Sequence, residues 1–214
     1  MNISDTYIIS DLHLGHDKVI DFEPKRLEAM KAEGYESHDK FIIDSFNSVV
    51  KSDDVVMLLG DIAFKGIQDY MTALNGNKLL IIGNHDKPYT YAPYDKLCSI
   101  VAGVNLLDSS GRMWSHTHSK DKKLSALILN IGNNRIMFSH YPVHAEDPWG
   151  YRKDGYVGIR SKWLSSIYDD TGCTLNIHGH VHSRTTDIES NINVSAEVLD
   201  FKPVKLSKLL EKFN

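Results

Sequence analysis

Aspartate, asparagine and histidine residues recur in five short motifs along the 214-residue chain. The motifs are DLHLGH (11–16), GD (60–61), GNHD (83–86), SH (139–140) and HGHVH (178–182). Each motif alone has an ordinary explanation as a capped turn, a tight turn or a buried histidine. HGHVH is hard to explain by packing, because it places three histidines at alternate positions. Mixed carboxylate and imidazole groups suit transition-metal ions such as Mn, Fe, Zn, Co or Ni, whereas Mg and Ca prefer oxygen ligands.

Short apolar runs rich in β-branched residues predict buried strands in a sheet covered on both faces. The runs are TYIIS (6–10), DVVMLLG (54–60), KLLIIGN (78–84), SALILNIG (125–132), RIMFSH (135–140) and CTLNIHG (173–179). Each of the five polar motifs lies at the end of one of these runs. Because open α/β sheets bind ligands outside the carboxyl ends of their strands, we expect the motifs to converge on one place.

Helical segments are predicted between and after the strands. In 38–50 the apolar residues share one face and Ser37 is placed to cap the start, and 204–213 carries leucines at spacings of three and four. Strand–helix alternation in the first half suggests βαβ units, and closely spaced strands in the second half suggest antiparallel pairs. The sequence therefore predicts an α/β fold of two packed sheets with helices outside, as a single domain over 1–214.

Composition argues against several classes of function. A net charge of -4 and a pI near 6.2 argue against binding nucleic acid by bulk positive charge. No apolar run approaches the roughly 18 residues of a membrane span, and the first residues lack a signal-peptide pattern. Two isolated cysteines, Cys98 and Cys173, are typical of reduced core thiols. We therefore expect a cytoplasmic protein without a membrane partner, and the sequence makes no prediction of its oligomeric state.

In their order the motifs resemble the signature of the calcineurin-like metallophosphoesterases. That signature runs Asp-x-His, Gly-Asp, Gly-Asn-His-Asp/Glu, a lone His and Gly-His-x-His. The matching blocks here are Asp11–His13, Gly60–Asp61, Gly83–Asp86, His140 and Gly179–His182. The tail NINVSAEVLDFKPVKLSKLL (191–210) is also similar to the end of small bacterial and phage members. The resemblance implies a four-layer αββα sandwich of two mixed β-sheets flanked by helices.

The resemblance also implies two divalent transition-metal ions, with Mn²⁺ expected first and Fe, Zn, Co or Ni as alternatives. Carried over residue by residue, the ligands of the first ion are Asp11, His13, Asp61 and His182. Those of the second ion are Asp61, Asn84, His140 and His180, so the Asp61 carboxylate bridges. His85 falls at the position of the family's substrate-facing histidine, which in its protonated form could assist the leaving group, and Asp86 falls where a carboxylate could orient that imidazole.

The chemistry that the resemblance implies is attack of a metal-bound hydroxide on phosphorus, with no covalent intermediate. Only two of the seven ligands are anionic, so two divalent ions leave the site positive even after a hydroxide binds. Such a site attracts a phosphate ester although the whole chain is negative.

Two positions near the motifs have no assigned role. Many relatives have an acidic residue three positions after the Gly-Asp aspartate, and this chain has Phe64 there. The departure puts a supporting carboxylate in doubt and leaves the metal ligands intact. His16 completes DLHLGH, and it is either a substrate or supporting contact or an ordinary loop histidine.

Substrate choice is expected to depend on the segment 141–163, which combines aromatic and basic residues. It carries Tyr141, Trp149, Tyr151, Tyr156 and Trp163, with His144, Arg152, Lys153 and Arg160. Aromatic faces stack a base or a sugar, and arginine pairs a phosphate. His144 and Arg160 are therefore candidate substrate contacts, although an ordinary surface loop remains an alternative. The segment 111–123, with His116 and His118, is typical of an exposed hairpin tip or a rim loop.

The sequence thus predicts a dimetal phosphoester hydrolase. The first expectation is a phosphomonoesterase on small substrates such as nucleoside monophosphates. One alternative is a phosphodiesterase acting on cyclic nucleotides or nucleic-acid ends. Another is a catalytically silent metal-binding module that serves in protein interactions, against which the intact ligand positions and His85 argue.

Overall fold

The computed structural model describes residues 3–87, 97–101, 103–108, 110, 112–116, 123–145 and 156–213. Within these ranges the chain forms two β-sheets. The strands of the first sheet are β1 (Tyr7–Ile9), β2 (Val55–Leu58), β3 (Asn77–Ile81), β4 (Cys98–Val101) and β11 (Val204–Lys205). Their order is β11-β1-β2-β3-β4. Strands β1 to β4 run parallel, and β11 pairs antiparallel with β1.

The second sheet is also mixed. Its strands are β5 (Val104–Leu107), β6 (Met113–His116), β7 (Ala126–Ile131), β8 (Asn134–Ser139), β9 (Leu175–His178) and β10 (Asn191–Asn193). Their order is β10-β9-β8-β7-β5-β6. The expectation of antiparallel pairs is correct for β5–β6 and β7–β8. It is wrong for β5–β7, β8–β9 and β9–β10, which are parallel.

The helices in the described ranges are α1 (Val19–Phe22), α2 (Pro24–Ala32), α3 (His38–Val49), α4 (Ile67–Ala73), α5 (Tyr156–Asp170) and α6 (Leu206–Leu210). Helices α2, α3 and α4 cover the outer face of the first sheet, and α5 covers that of the second. Leu206 and Leu210 of α6 pack between the sheets. Short 3₁₀ turns lie at Ile3–Asp5 and Glu211–Phe213. Helix α3 begins where predicted, and the Ser37 hydroxyl accepts a hydrogen bond from the Lys40 N–H at 3.3 Å. Helix α6 is shorter than the predicted 204–213, because the first two residues pair with β1 and the last three tighten into a 3₁₀ turn.

Three apolar clusters separate the layers. Alternate residues of β1 to β3 face outward onto helices α2, α3 and α4, with Phe41 and Phe46 at the centre of that cluster. The opposite face, including Ile8 and Met57, packs against Phe138 of the second sheet. The outer face of the second sheet packs against helix α5 through Leu164 and other side chains. The predicted αββα architecture is therefore confirmed. None of the helices in the described ranges is long and apolar enough to cross a bilayer.

Candidate metal centre

The structure brings the five motifs together where their strands end. The residues and the strands they follow are Asp11 and His13 after β1, Asp61 after β2, Asn84 after β3, His140 after β8, and His180 and His182 after β9. Backbone hydrogen bonds join the turns to one another. The N–H of Asp11 donates to the Gly60 carbonyl at 3.0 Å, and the N–H of Gly179 donates to the His140 carbonyl at 3.0 Å. The two sheets therefore hold the candidate ligands in one fixed group.

Five of the predicted ligands have a left-handed backbone, which residues with a side chain rarely adopt. The φ values are 58° for Asp11, 54° for His13, 54° for Asp61, 71° for His180 and 52° for His182. Each such residue costs on the order of 1–3 kcal/mol, and this strain persists only where the surrounding structure imposes it. Its concentration on the ligand positions is typical of a functional site.

Three glycines let the turns approach the ligands closely. A Cβ at Gly83 would collide with the Asp61 carboxylate, and a Cβ at Gly179 would collide with Ser10 and the Asp11 carboxylate. Gly60 is similarly close, since its Cβ would lie 2.7 Å from Nδ1 of His140. At these positions glycine is required because there is no room for a side chain.

One half of the site is formed by Asp11, His13 and His182, whose potential ligand atoms all lie within 4.8 Å of one another. Nε2 of His13 is 3.7 Å from Oδ1 of Asp11 and 3.8 Å from Oδ2 of Asp61. Nε2 of His182 is 3.9 Å from the same Asp11 oxygen. Among the described residues, neither Oδ1 of Asp11 nor either ring nitrogen of His13 has a hydrogen-bond partner, although all are buried. A cation would satisfy Oδ1 of Asp11 and Nε2 of His13, which face each other.

The other half is formed by Asp61, Asn84, His140 and His180. Nδ1 of His140 lies 2.8 Å from the Leu59 carbonyl, which fixes the proton on that nitrogen and leaves a lone pair on Nε2. Burial lowers the pKa of His140, so the ring is neutral near pH 7. Its Nε2 faces Oδ1 of Asn84 at 2.8 Å and Oδ2 of Asp61 at 3.5 Å, and Nδ1 of His180 is 3.0 Å from the same Asn84 oxygen. Converging lone pairs repel one another unless a cation lies between them, so the donor set fits a metal ion.

Asp61 lies between the two halves. Its Oδ2 faces His13 on one side and His140 on the other. Burial raises the pKa of Asp61 well above its usual range, and the negative charges of Asp86 and Asp11 raise it further. Positive charge beside Asp61 would relieve this repulsion, as expected of a carboxylate that bridges two ions.

Asp86 lies behind the candidate ligands, in contact with the backbone of their turns. The Asp86 carboxylate is fully buried and accepts hydrogen bonds from the N–H groups of Asp61 at 2.9 Å, Ile62 at 3.1 Å and Gly83 at 2.8 Å. It therefore supports the turns that carry Asp61 and Asn84, a role that the sequence did not indicate. The predicted action of Asp86 on the His85 imidazole stays a prediction.

His85 exposes 41% of its side chain, and its Nε2 lies 3.9 Å from Oδ2 of Asp61. Partial burial lowers the pKa of His85, and neighbouring basic groups add to the shift. The ring alone is therefore neutral near pH 7, and the action predicted for its protonated form stays a prediction. A bound phosphate dianion would favour the protonated form again.

A buried ion pair that sequence reasoning missed supports His182. Oε1 of Glu197 lies 2.8 Å from Nδ1 of His182 and accepts a hydrogen bond of 2.6 Å from Nε of Arg26. Burial alone would raise the pKa of Glu197, but the Arg26 charge and the His182 contact outweigh it and hold the pKa at about 2. In the metal-free protein burial opposes a charge on His182, yet Glu197 and Asp11 raise its pKa to about 9, so a bound ion must displace the proton on Nε2. A carboxylate behind a histidine fixes its tautomer and orientation for metal binding.

The only sequence signal for this ion pair was the tail NINVSAEVLDF, in which Glu197 lies. Arg26 also donates to the Leu12 carbonyl at 3.0 Å and to the Asp11 carbonyl, so it holds the first motif in place. Arg26 gave no sequence signal, because it looks like an ordinary helix residue.

Of the three candidate substrate contacts, His16 lines the cavity beside the ligands, whereas His144 and Arg160 do not. His16 lines the same cavity as His13, and the two ring centroids are 5.9 Å apart. His144 turns away toward helix α5, where its Nε2 is 2.9 Å from Oδ1 of Asp169. Arg160 is buried and donates to the Tyr141 hydroxyl at 3.0 Å. These contacts do not support His144 or Arg160 as substrate contacts, and their role stays a prediction.

Other residues of the two variable segments lie outside the described ranges. They are Trp149, Tyr151, Arg152, Lys153 and His118. His116 ends strand β6. Tyr141 is buried, and its ring lies 4.9 Å from that of His140 and 5.1 Å from that of His180, so it packs behind the candidate ligands.

The sequence matches the calcineurin-like phosphoesterase family over residues 5–184, and the chain belongs to that family. It is a metal-dependent phosphoester hydrolase, as predicted. It is 27% identical over 196 residues to the gene 66 protein of Mycobacterium phage L5, with 85% of this chain and 84% of the phage protein covered.

Two further relatives span almost the whole chain. An uncharacterized protein of Methanocaldococcus jannaschii is 25% identical over 227 residues, which covers 99% of this chain and 94% of that protein. A solved structure of a protein of unknown function from Aquifex aeolicus has a TM-score of 0.67 and 25% identity, with 98% of both chains covered.

Proposed function

We propose that the chain hydrolyses small phosphomonoesters, such as nucleoside monophosphates, with two divalent ions at the site described above. The proposed ligands are Asp11, His13, Asp61 and His182 for the first ion, and Asp61, Asn84, His140 and His180 for the second. The observation that carries the ligand assignment is the convergence of lone pairs from Asn84, His140 and Asp61 on one point. Mixed nitrogen and oxygen donors favour Mn²⁺, Fe, Zn, Co or Ni over Mg²⁺, and Mn²⁺ is the expected ion.

The chain's own residues have distinct roles in this proposal. When bound, the two ions supply electrophilic activation of the phosphoryl group and of water. His85 is accessible from the cavity and borders Asp61, so it is placed to donate a hydrogen bond to the phosphate or a proton to the leaving oxygen. Arg26 and Glu197 keep His182 in one orientation.

The preference for small monoesters is supported by the size of the cavity beside the candidate ligands. Its volume is about 270 Å³, near the lower end for ligand pockets, which suits one small phosphoester rather than a chain of nucleotides. The net charge of -4 also gives no support to binding a long nucleic acid. The two buried thiols, Cys98 and Cys173, fit the proposed cytoplasmic location.

The ester class is tested with p-nitrophenyl phosphate and bis(p-nitrophenyl) phosphate on one Mn²⁺-loaded preparation. The two substrates share a leaving group, so the ratio of their kcat/KM values reports the ester class alone. We expect the monoester to be preferred, followed by turnover of nucleoside monophosphates. Preference for the diester would overturn the proposal in favour of the phosphodiesterase, and cyclic nucleotides and nucleic-acid ends would then be assayed.

A further inference from the structure

We propose that the cavity beside the metal centre contains a binding pocket for a flat aromatic ring on the leaving group of the substrate. This ring pocket is formed by His16, Val19, Phe22, Glu23 and Phe64, which line the same cavity as the candidate ligands His13, Asp61 and His182. The inference rests on the proposed function, because it assigns the part of the substrate beyond the phosphate. The class of substrate is a phosphomonoester whose leaving group carries an uncharged ring, such as a nucleobase.

The turn that carries two candidate ligands also places the ring pocket. After Asp11 and His13 the chain continues through His16 into helix α1, where the Val19 N–H donates to the His16 carbonyl at 3.1 Å. Phe22 is the last residue of that helix. The side chains of His16, Val19 and Phe22 are therefore held at a fixed distance from the metal centre by one short segment.

Phe64 completes the apolar wall from a second turn. Its N–H donates to the Leu14 carbonyl at 2.9 Å, which fixes it beside the DLHLGH segment. The Phe64 ring contacts His16 edge-to-face, with centroids 4.1 Å apart, and contacts His85 at 4.6 Å. The Phe64 ring therefore makes the wall of the cavity apolar where it approaches His85.

Phe22 extends the wall outward and leaves its face uncovered. It exposes 64% of its surface. Its ring centroid is 6.2 Å from that of His16, which in turn is 5.9 Å from that of His13. These distances put the Phe22 and His13 rings at most about 12 Å apart, so a nucleoside monophosphate with its phosphate beside His13 can extend its base toward Phe22. Aromatic faces bind such rings by offset stacking or edge-to-face contact.

Glu23 determines which kind of leaving group fits. Its carboxyl group is buried in the wall and accepts a hydrogen bond from the Ser183 hydroxyl at 2.7 Å. One Glu23 oxygen also lies within 4.8 Å of ligand atoms of His182 and Glu197. A carboxylate there would repel a second phosphate, so the ring pocket favours an uncharged ring over a polyphosphate.

The test compares adenosine 5′-monophosphate with ribose 5-phosphate in the Mn²⁺-loaded protein. The two substrates have the same primary alkoxide leaving atom and differ by the base. Phe22→Leu keeps an apolar side chain and removes the aromatic face. We expect it to lower the ratio of kcat/KM for adenosine 5′-monophosphate to that for ribose 5-phosphate roughly tenfold, within the range for loss of one ring under a base. The matched control is Trp114→Leu, which removes a ring that is 51% exposed on strand β6, outside the cavity lining, and should not change the ratio.

An unchanged ratio in Phe22→Leu would overturn the ring pocket while the proposed function stands. If the wild type hydrolyses neither monoester, the proposed function fails. The ring pocket is then tested separately by measuring the affinity for adenosine. Adenosine has no phosphate, so its Kd from a calorimetric titration does not depend on hydrolysis. A Kd about tenfold weaker in Phe22→Leu than in Trp114→Leu would support the ring pocket, and equal values would overturn it.

Discussion

At the scale of single residues, a substitution of Glu197 tests whether this carboxylate orients His182, a proposed ligand of the first ion. Glu197 accepts hydrogen bonds from His182 and from the buried Arg26. Glu197→Gln keeps the size of the side chain but removes the charge that fixes the His182 tautomer. We expect the affinity for Mn²⁺ to fall roughly 10–100-fold, as for other residues that support a metal-bound histidine. A calorimetric titration of the chelator-treated protein measures it.

The control for this prediction is Glu189→Gln, because Glu189 is an exposed glutamate in the same part of the chain. The control variant should bind Mn²⁺ as the wild type does. Circular dichroism of both variants checks that each remains folded. Equal affinities for Mn²⁺ in the two variants would show that Glu197 does not position His182.

A substitution of His85 should separate metal binding from catalysis. His85 borders Asp61, is not among the proposed ligands, and exposes 41% of its side chain to the cavity. His85→Ala should therefore retain its metal content and lose turnover by about 10²–10⁴-fold, the usual contribution of a positioned acid or base. Metal content by elemental analysis and kcat on p-nitrophenyl phosphate give the two quantities. Unchanged turnover would remove His85 from the mechanism.

At the scale of elements, the strands that carry the motifs could be predicted because their signal is local. Each has several consecutive apolar residues, and β2, for example, falls inside the predicted run 54–60. Strands β4, β5, β6, β10 and β11 were missed. Of these, β10 and β11 have only three and two residues and little apolar pattern. Their pairing depends on a neighbouring strand that is already in place, which no window of sequence reveals.

A separate prediction concerns the glycines in the turns that follow the strands. A Cβ at Gly179 would collide with Asp11, whereas a Cβ at Gly132 has nothing within 4 Å and meets only the cost of a φ of +59°. Gly179→Ala should lose Mn²⁺ binding at the first position as well as stability. Gly132→Ala should lose only about 1–2 kcal/mol of unfolding free energy and bind Mn²⁺ normally. Normal Mn²⁺ stoichiometry in Gly179→Ala would contradict the steric explanation.

At the scale of the whole molecule, the long-range contacts explain what the sequence did not reveal. Arg26 and Glu197 are 171 positions apart and meet only because helix α2 and the segment after β10 pack beside the same turn. Neither residue has a local pattern that distinguishes it from a surface charge. The candidate ligands were recognisable because their motifs are short and ordered, whereas their supporting residues depend on the tertiary fold.

The seven proposed ligands come from both sheets, so metal binding should stabilise the whole fold. Binding to the folded state alone adds about 2.7 kcal/mol at a free ion concentration of 100 times Kd for one site. In a chain of this size each kcal/mol raises Tm by roughly 2–4 °C. We therefore expect Tm to fall when a chelator removes the ions and to recover when Mn²⁺ is added.

The variant Asp61→Asn tests whether the rise in Tm comes from Mn²⁺ bound at the proposed ligands or from Mn²⁺ bound elsewhere on the protein. Burial and the charges of Asp86 and Asp11 raise the pKa of Asp61, so its ionised form destabilises the metal-free protein near pH 7. The neutral amide should therefore raise the Tm of the chelator-treated protein above that of the wild type, while most of the increase on adding Mn²⁺ is lost. Thermal unfolding of both proteins with and without Mn²⁺ measures the four values. If Mn²⁺ raised both Tm values equally, Asp61 would not be a ligand of either ion, and the strained turns that present it would need another explanation.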